Sequence, residues 1–247
     1  MKNNSMLAYL LAFTCSFSAL SFANDYDQGI YQLNRGEFKA AMAQFMPLAE
    51  DGFSPAQYQL AMMYKNAQGT PKNTAKAIEL LNLAADQNDS DAQFELAVMY
   101  SQGNLVEKNL TTAFQLMKKS ATKGLASAQF NLGVMYYQGE GIAVNHTEAA
   151  NWYRQAANQN YALAQFNLAL MYFEGNGVEH SREMSFVWNT IAAYNGYEDA
   201  AKSRDMDAHK LSKAKVASLR IKADEMYRNI IAQKEINAQK ANKNRFY

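Results

Sequence analysis

A nine-residue pattern returns along this chain at a fixed spacing of 36 residues, and this regularity restricts the fold more than any other feature. The pattern reads AQYQLAMMY from Ala56, AQFELAVMY from Ala92, AQFNLGVMY from Ala128 and AQFNLALMY from Ala164. Units that recur at such a period stack on one another and bury a shared core. The sequence therefore predicts a repeat protein.

The pattern itself predicts an amphipathic helix, which we name helix A of each unit. Its positions 1, 5, 8 and 9 hold Ala, Leu, Met and Tyr in every copy. At about 100° per residue these positions share one face of a helix. Position 6 is always small (Ala61, Ala97, Gly133 and Ala169), so a neighbouring helix can approach closely.

A second helix, helix B, is predicted after a glycine-containing loop in each unit. The loops end in Asn73, Asn109, Asn145 or Ser181, whose side chains can cap the first free amides of a new helix. Helix B is predicted to end at one shared position, where residues that readily take the left-handed conformation stand. These residues are Asn88, Gly124, Asn160 and Gly196.

This order of pattern, glycine loop, polar cap, helix B and stop resembles the Sel-1-like repeat family, which is related to tetratricopeptide repeats. The resemblance covers nearly all of the chain after residue 23 and implies an all-α fold. The implied fold is a right-handed α/α superhelix, or solenoid, of about five helical hairpins followed by a long C-terminal helix. It also implies binding to other proteins.

The repeat phase assigns the boundaries of the segments. The solenoid is predicted over residues 24–210, and its units are 24–55, 56–91, 92–127, 128–163 and 164–199, followed by a degraded cap at 200–210. Residues 211–247 form a basic C-terminal segment. In its helix, Val216, Leu219, Ala223, Met226 and Ile230 form an apolar stripe that either seals the last unit or leaves a cationic face for an anionic surface or partner.

The first 23 residues have the composition of a secretory signal peptide. Lys2 precedes a short apolar run, and Ser21-Phe22-Ala23 provides small residues at the cleavage positions. We expect cleavage after Ala23 and a periplasmic or secreted protein. Cys15, the single cysteine, is not preceded by a lipobox.

Charge argues against nucleic-acid binding by the main body. Residues 24–210 carry 14 Lys and Arg against 20 Asp and Glu, whereas residues 211–247 carry 9 against 3. A nucleic-acid-binding face would need a basic surface on the body of the protein.

The sequence provides no constellation for catalysis, a cofactor or a metal. His146, His180 and His209 are isolated from one another in the sequence and have no cysteine partner in the chain after residue 23. A cysteine-rich branch of the family is linked to β-lactam binding or hydrolysis, but its disulfide in each repeat is missing here. The alternative function, an enzyme acting on peptidoglycan or β-lactams, is therefore disfavoured.

A second face of helix A is the predicted binding groove, since positions 3, 7 and 10 point away from the first face. Position 10 changes from Lys65 and Ser101 to Tyr137 and Phe173 along the chain, which indicates a groove with an apolar C-terminal half. We expect Tyr137 and Phe173 to be partly exposed and Tyr136 and Tyr172 to be buried. The candidate groove residues are Phe94, Glu95, Phe130, Asn131, Val134, Tyr137, Gln138, Phe166, Asn167, Leu170, Phe173 and Glu174.

The function predicted from the sequence is a non-enzymatic scaffold or adaptor of the bacterial cell envelope. It would bind a peptide or a partner protein in the concave groove. Position 3 has a second interpretation, in which its aromatic rings pack one repeat on the next.

Overall fold

The structure, a computed structural model, describes residues 24–244 and the side chains of residues 24–240; the predicted signal peptide lies outside this range. The described residues are helical or lie in turns and loops, and no strand occurs among them. The chain divides into two compact units, the first ending at Gln93 and the second comprising Phe94–Lys240. The predicted all-α class is confirmed.

The helices follow one another in pairs, as the repeat predicts. Helices at the start of the chain are α1 (24–34), α2 (Phe38–Glu50), α3 (Ser54–Asn66) and α4 (Thr74–Asp86). The boundary between the two units falls within α5 (Ser90–Gln102). The second unit continues with α6 (Leu110–Thr122), α7 (Ala126–Gln138), α8 (His146–Asn158), α9 (Ala162–Glu174), α10 (Arg182–Tyr194), α11 (Glu198–Ala208) and α12, which begins at Lys213 and extends to Asn244.

The predicted caps and stops of helix B are present. The side chains of Asn73, Asn109, Asn145 and Ser181 each accept a hydrogen bond from the backbone amide three residues later. The stop residues Asn88, Gly124, Asn160 and Gly196 all have positive φ angles. Local chemistry therefore sets both ends of helix B, as expected from the sequence.

Gly177 shows why the loop between α9 and α10 contains glycine. Its φ is +68°, and a Cβ atom at this residue would overlap the backbone carbonyl of His146 at the start of α8. The loop glycines Gly69 and Gly141 lie in the same way against Phe38 and Leu110, at the start of the preceding helix B. A side chain here would force the two segments apart.

Positions 1, 5 and 8 of the packing face of helix A are buried as predicted, whereas the tyrosines at position 9 are half-buried. The position-1 alanines are fully buried, and the Leu at position 5 and the Met at position 8 are buried in every copy. In the second unit, residues of α8, α9 and α10 form one apolar cluster. Leu219, Ala223 and Ile230 of α12 belong to this cluster, and Val216 and Met226 pack against it.

The glutamine at position 2 of each pattern has a structural role that the sequence analysis did not assign. Gln57, Gln93, Gln129 and Gln165 are buried. Each side-chain amide donates a hydrogen bond to the backbone carbonyl eight residues earlier, at Ala49, Ala85, Ala121 and Ala157 respectively. This bond fastens the start of each helix A to the end of the helix before it. The same carbonyl also accepts a hydrogen bond from the backbone amide three residues later, so the glutamine adds a second donor at the helix terminus.

Candidate functional site

The predicted groove residues lie on α5, α7 and α9, and most of them are only partly exposed. Phe173 is 41% exposed and Leu170 is 38% exposed, and Gln138 and Glu174 are also exposed. The half-buried candidates are Phe94, Glu95, Phe130, Asn131, Val134, Tyr137, Phe166 and Asn167. The exposed apolar candidates therefore concentrate on α9.

The aromatic residues at position 3 pack between successive repeats. The ring of Phe130 stacks on that of Tyr161, with the centroids 5.3 Å apart. Phe166 makes the equivalent contact with Tyr197 at 5.0 Å. The packing interpretation of position 3 thus applies to both rings, which leaves only part of each available to a partner.

The aromatic residues at position 10 contact the start of helix B in their own unit. The ring of Tyr137 lies 4.9 Å from that of His146. At the equivalent site one repeat later, the guanidinium carbon of Arg182 lies 5.3 Å from the centre of the Phe173 ring. Both rings are partly exposed, as predicted.

The expectation that Tyr136 and Tyr172 are buried was wrong, because both are half-buried. The hydroxyl of Tyr172 accepts a hydrogen bond of 3.3 Å from Arg154, and the ring of Tyr136 meets Phe114 edge to face. A tyrosine can pack its ring against the core while its hydroxyl stays near water. The contrast between positions 9 and 10 is accordingly weaker than the helical wheel predicts.

The polar residues beside the groove face are engaged with their own helix. The side-chain amide of Asn131 donates to the carbonyl of Ser127 at 2.8 Å, and that of Asn167 donates to Leu163 at 2.9 Å. Their side-chain oxygens remain as the atoms through which these residues can accept a hydrogen bond from a ligand.

A cleft of about 110 Å³ in the second unit brings three of the predicted residues together with five that were not predicted. Phe166, Leu170 and Phe173 come from α9, and the other residues come from α10 and α11. Phe94, Phe130, Val134 and Tyr137 are not among the described residues that line it. The additional lining residues are Ser185, Asn189, Ser203, Met206 and Asp207.

The polar lining residues form a connected network of hydrogen bonds. The hydroxyl of Ser185 donates to a carboxylate oxygen of Asp207 at 2.7 Å, and the amide of Asn189 donates to Ser185 Oγ at 3.3 Å. Arg182 Nη1 lies 3.5 Å from the other carboxylate oxygen of Asp207. Asn189 Oδ1 is buried and has no hydrogen-bond partner among the described residues.

Burial raises the pKa of the Asp207 carboxyl above its ordinary value. The hydrogen bond from Ser185 and the charge of Arg182 oppose this shift, because both stabilise the ionised form. Asp207 is 2% exposed, and its partners only partly offset the free energy lost when its carboxylate is desolvated.

The residues that the sequence analysis missed carry a signal in the repeat itself. Ser185 follows Ala77, Ala113 and Ala149 at one position of helix B, and Asp207 falls 36 residues after Met171. A carboxylate at a position where every other copy has a buried methionine could have been found by extending the repeat phase into α11.

No group of metal-ligating side chains occurs within the part of the chain that the structure describes. Among residues 24–244, none of the helices combines the length and the apolar character needed to cross a membrane.

The architecture matches several solved structures. A Sel1 repeat protein from Oxalobacter formigenes is 28% identical, with 67% of this chain and 48% of that protein covered and a TM-score of 0.64. A protective antigen of uropathogenic Escherichia coli with an SLR fold is 24% identical over 91% of this chain and 59% of that one, with a TM-score of 0.56. This chain therefore spans about half the length of these two proteins.

A Sel1 repeat protein from Klebsiella pneumoniae matches in fold at 17% identity, covering 77% of this chain and 96% of that one, with a TM-score of 0.50. No curated protein matches the chain in sequence. The Sel1 repeat model matches residues 54–89, 90–125, 126–161 and 162–197, which together are more than half of the chain. Proteins built from this repeat generally serve as scaffolds for protein–protein interactions. By this match, the chain belongs to the Sel1 repeat family.

Proposed function

We propose that this chain is a non-enzymatic scaffold of the bacterial cell envelope that binds a peptide segment of a partner protein along α9 and the cleft beside it. The observation that carries the proposal is the exposure of Leu170, Phe173 and Met206, which line one cleft. A soluble protein normally buries most of its large apolar side chains, and a clustered exception marks a contact surface.

The location in the cell envelope rests on the sequence of residues 1–23, which has the charge, length and apolar run of a signal peptide. Export would bring the acidic main body into contact with envelope proteins. Mass spectrometry of the exported protein tests this part, with Asn24 expected as the first residue. An intact Met1 or a lipidated Cys15 would refute it.

Peptide binding can be tested with the purified protein and a phage-displayed library of random peptides. We expect enrichment of peptides that bind the wild type but not the Leu170→Ser/Phe173→Ser variant. Both side chains are exposed, so their replacement should change stability little. Loss of aromatic and apolar contacts at the centre of an interface commonly weakens binding by about 30-fold or more.

The matched control is Tyr31→Ser, which removes an aromatic ring that is 55% exposed in the first unit. Peptide binding should be unchanged in this variant. Peptides that bind the Leu170→Ser/Phe173→Ser variant as well as they bind the wild type would place the binding surface elsewhere. Turnover of peptidoglycan or a β-lactam by the purified protein would contradict the non-enzymatic assignment.

A further inference from the structure

Three polar residues in the last helix pairs stand at positions that the other repeats fill with small or apolar residues. Ser185 replaces alanine, Asp207 replaces methionine, and Asn189 stands where Leu81, Met117 and Tyr153 stand in the preceding units. All three are buried, at 1%, 2% and 3% exposure respectively. Because they are hydrogen-bonded to one another in a chain, the three replacements form one feature.

This polar network destabilises the folded protein, because it leaves one buried hydrogen-bond acceptor without a donor. Asn189 Oδ1 is a buried acceptor with no donor among the described residues, and an unsatisfied buried acceptor destabilises a fold. A leucine at this position, as in the unit of Leu81, would avoid that loss. A ligand that donates a hydrogen bond to Asn189 Oδ1 would explain why this position holds an asparagine.

The size of the cleft limits the part of the ligand that enters it to at most one ring, and the cleft walls are largely apolar. A dry cavity of about 150 Å³ in another protein holds a benzene molecule, and this open cleft measures about 110 Å³. Its walls are provided by Phe166, Leu170, Phe173 and Met206. Aromatic and thioether side chains pack favourably against an aromatic ring.

The charges around the cleft favour a neutral ligand. Arg182 lies beside Asp207 and offsets its negative charge, so a cation would meet an already paired carboxylate. The donors of Ser185 and Asn189 are directed within the network. The ligand group that fits is therefore a neutral ring carrying a hydrogen-bond donor.

We propose that this cleft binds a tyrosine side chain of the partner peptide, with its phenol hydroxyl donating to Asn189 Oδ1. This inference rests on the proposed function, since it names the residue that the peptide inserts. Met206 is 64% exposed and unbranched, so it can change rotamer and admit the ring to Asn189.

The test uses p-cresol, which reproduces the tyrosine side chain, and p-xylene, which has a methyl group in place of the hydroxyl. Both are titrated into the isotope-labelled full chain and followed by NMR, at equal concentrations below the solubility limit of p-xylene. We expect p-cresol to shift the signals of Leu170, Met206 and Asn189. It should bind about five-fold more tightly than p-xylene, the factor that one neutral hydrogen bond provides.

The Asn189→Leu variant separates the hydrogen bond from the shape of the cleft. It should bind the two compounds equally, because the acceptor is gone. The matched control, Ser203→Ala, changes a lining residue outside the network and should keep the preference for p-cresol. Should Asn189→Leu fail to fold, nuclear Overhauser contacts between p-cresol and the Met206 methyl group in the wild type provide the independent measurement.

The inference is refuted if the wild type binds p-xylene as well as p-cresol, if neither compound shifts the cleft signals, or if Asn189→Leu retains the preference. These outcomes are distinct from failure of the proposed function. If selected peptides bind the wild type but not the Leu170→Ser/Phe173→Ser variant, and p-cresol does not bind, only the tyrosine site is rejected. If p-cresol binds but no peptide is selected, the scaffold role is rejected.

Discussion

The α8–α9 pair and the α10–α11 pair occupy equivalent places in the repeat. Two equivalent core positions are apolar in the first pair and polar in the second. Ala149 of α8 and Met171 of α9 belong to the apolar cluster described above. One repeat later the same positions hold Ser185 and Asp207, which share a hydrogen bond of 2.7 Å. The pairing of the two helices is kept, although α11 is shorter than α9 and has lost the repeated Leu and Tyr.

If the cleft binds a ligand as proposed, this difference is the way in which a repeat protein acquires a specific site without a new fold. The α8–α9 pair, called the interior pair below, buries apolar side chains at these positions, and this burial stabilises the chain. The α10–α11 pair, called the terminal pair below, buries less apolar surface at these positions. It contains a desolvated carboxylate and an amide oxygen without a hydrogen-bond donor. Sites that bind ligands are commonly less stable than the packing they replace.

The largest change in stability is expected when the Ser and Asp of the terminal pair are placed at the equivalent positions of the interior pair. The Ala149→Ser/Met171→Asp variant would bury a carboxylate where His146, and not an arginine, occupies the position of Arg182. We expect the free energy of unfolding to fall by about 3–5 kcal/mol, because the charge has no partner. Urea denaturation at neutral pH measures this value.

Val144→Asp is the control for that variant, since it adds the same charge at a residue that is 55% exposed. It should change stability little. A loss below about 1 kcal/mol in the interior variant would mean that both contacts tolerate a carboxylate, and the distinction between the two pairs would not hold.

The reverse change should stabilise the protein. Ser185→Ala/Asn189→Leu/Asp207→Met restores residues that other repeats use at these positions. Replacing a buried polar network by apolar residues of similar shape typically raises the free energy of unfolding by about 1–4 kcal/mol. Thermal and urea unfolding of the variant measure this gain, and a loss would show that the network holds α10 and α11 together.

A smaller effect is expected from the caps, and it should be the same in both pairs. Asn145 accepts from the amide of Glu148 at 3.0 Å, and Ser181 accepts from Met184 at 3.1 Å. Asn145→Ala and Ser181→Ala should each cost about 1 kcal/mol, while Asn145→Asp should retain the cap. Unequal losses in urea unfolding would mean that the two pairs differ in more than their core contact.

The last effect depends on pH. Because burial raises the pKa of Asp207, the folded state holds this proton more tightly than the unfolded state does. The stability that Asp207 contributes is therefore highest below the unfolded pKa of about 4 and falls as pH rises through the folded pKa.

The Asp207→Asn variant lacks this titration and is the reference for the wild type. Its stability relative to the wild type should increase as pH is raised from the acidic range toward neutral. Urea unfolding of both proteins over this range measures the difference. A constant difference would show that Asp207 titrates alike in the folded and unfolded states.

The elements of the fold could be predicted because each is encoded by local chemistry that is repeated. The caps at Asn109 and Asn145 and the stop at Gly124 follow from residue type and position alone. The starts of helix A were less well predicted. α7 begins at Ala126, two residues before the repeated pattern, since the extended Leu125 precedes it and no side-chain cap marks the site.

The cleft could be predicted only in part, because its walls and floor come from three different helices. The wall residues Phe166 and Phe173 lie on the helix that carries the repeated pattern, and both were identified. Asn189 and Asp207 contribute to the cleft through contacts between α10 and α11, which a helical wheel of one helix cannot represent. Asp207 was also hidden by the loss of the repeated Leu and Tyr in α11.

The glutamine bonds also have a consequence for how such a chain can change its length. Gln129 and Gln165 each donate a hydrogen bond to the carbonyl of an alanine in the last turn of the preceding helix B, Ala121 or Ala157. Each of the four junctions between a helix B and the next helix A that contain this glutamine has an alanine carbonyl as the acceptor, eight residues before the glutamine. Gene duplication or deletion of one 36-residue unit would therefore return a matching donor and acceptor at the new junction. Evolution can thus lengthen or shorten the array without redesigning any joint.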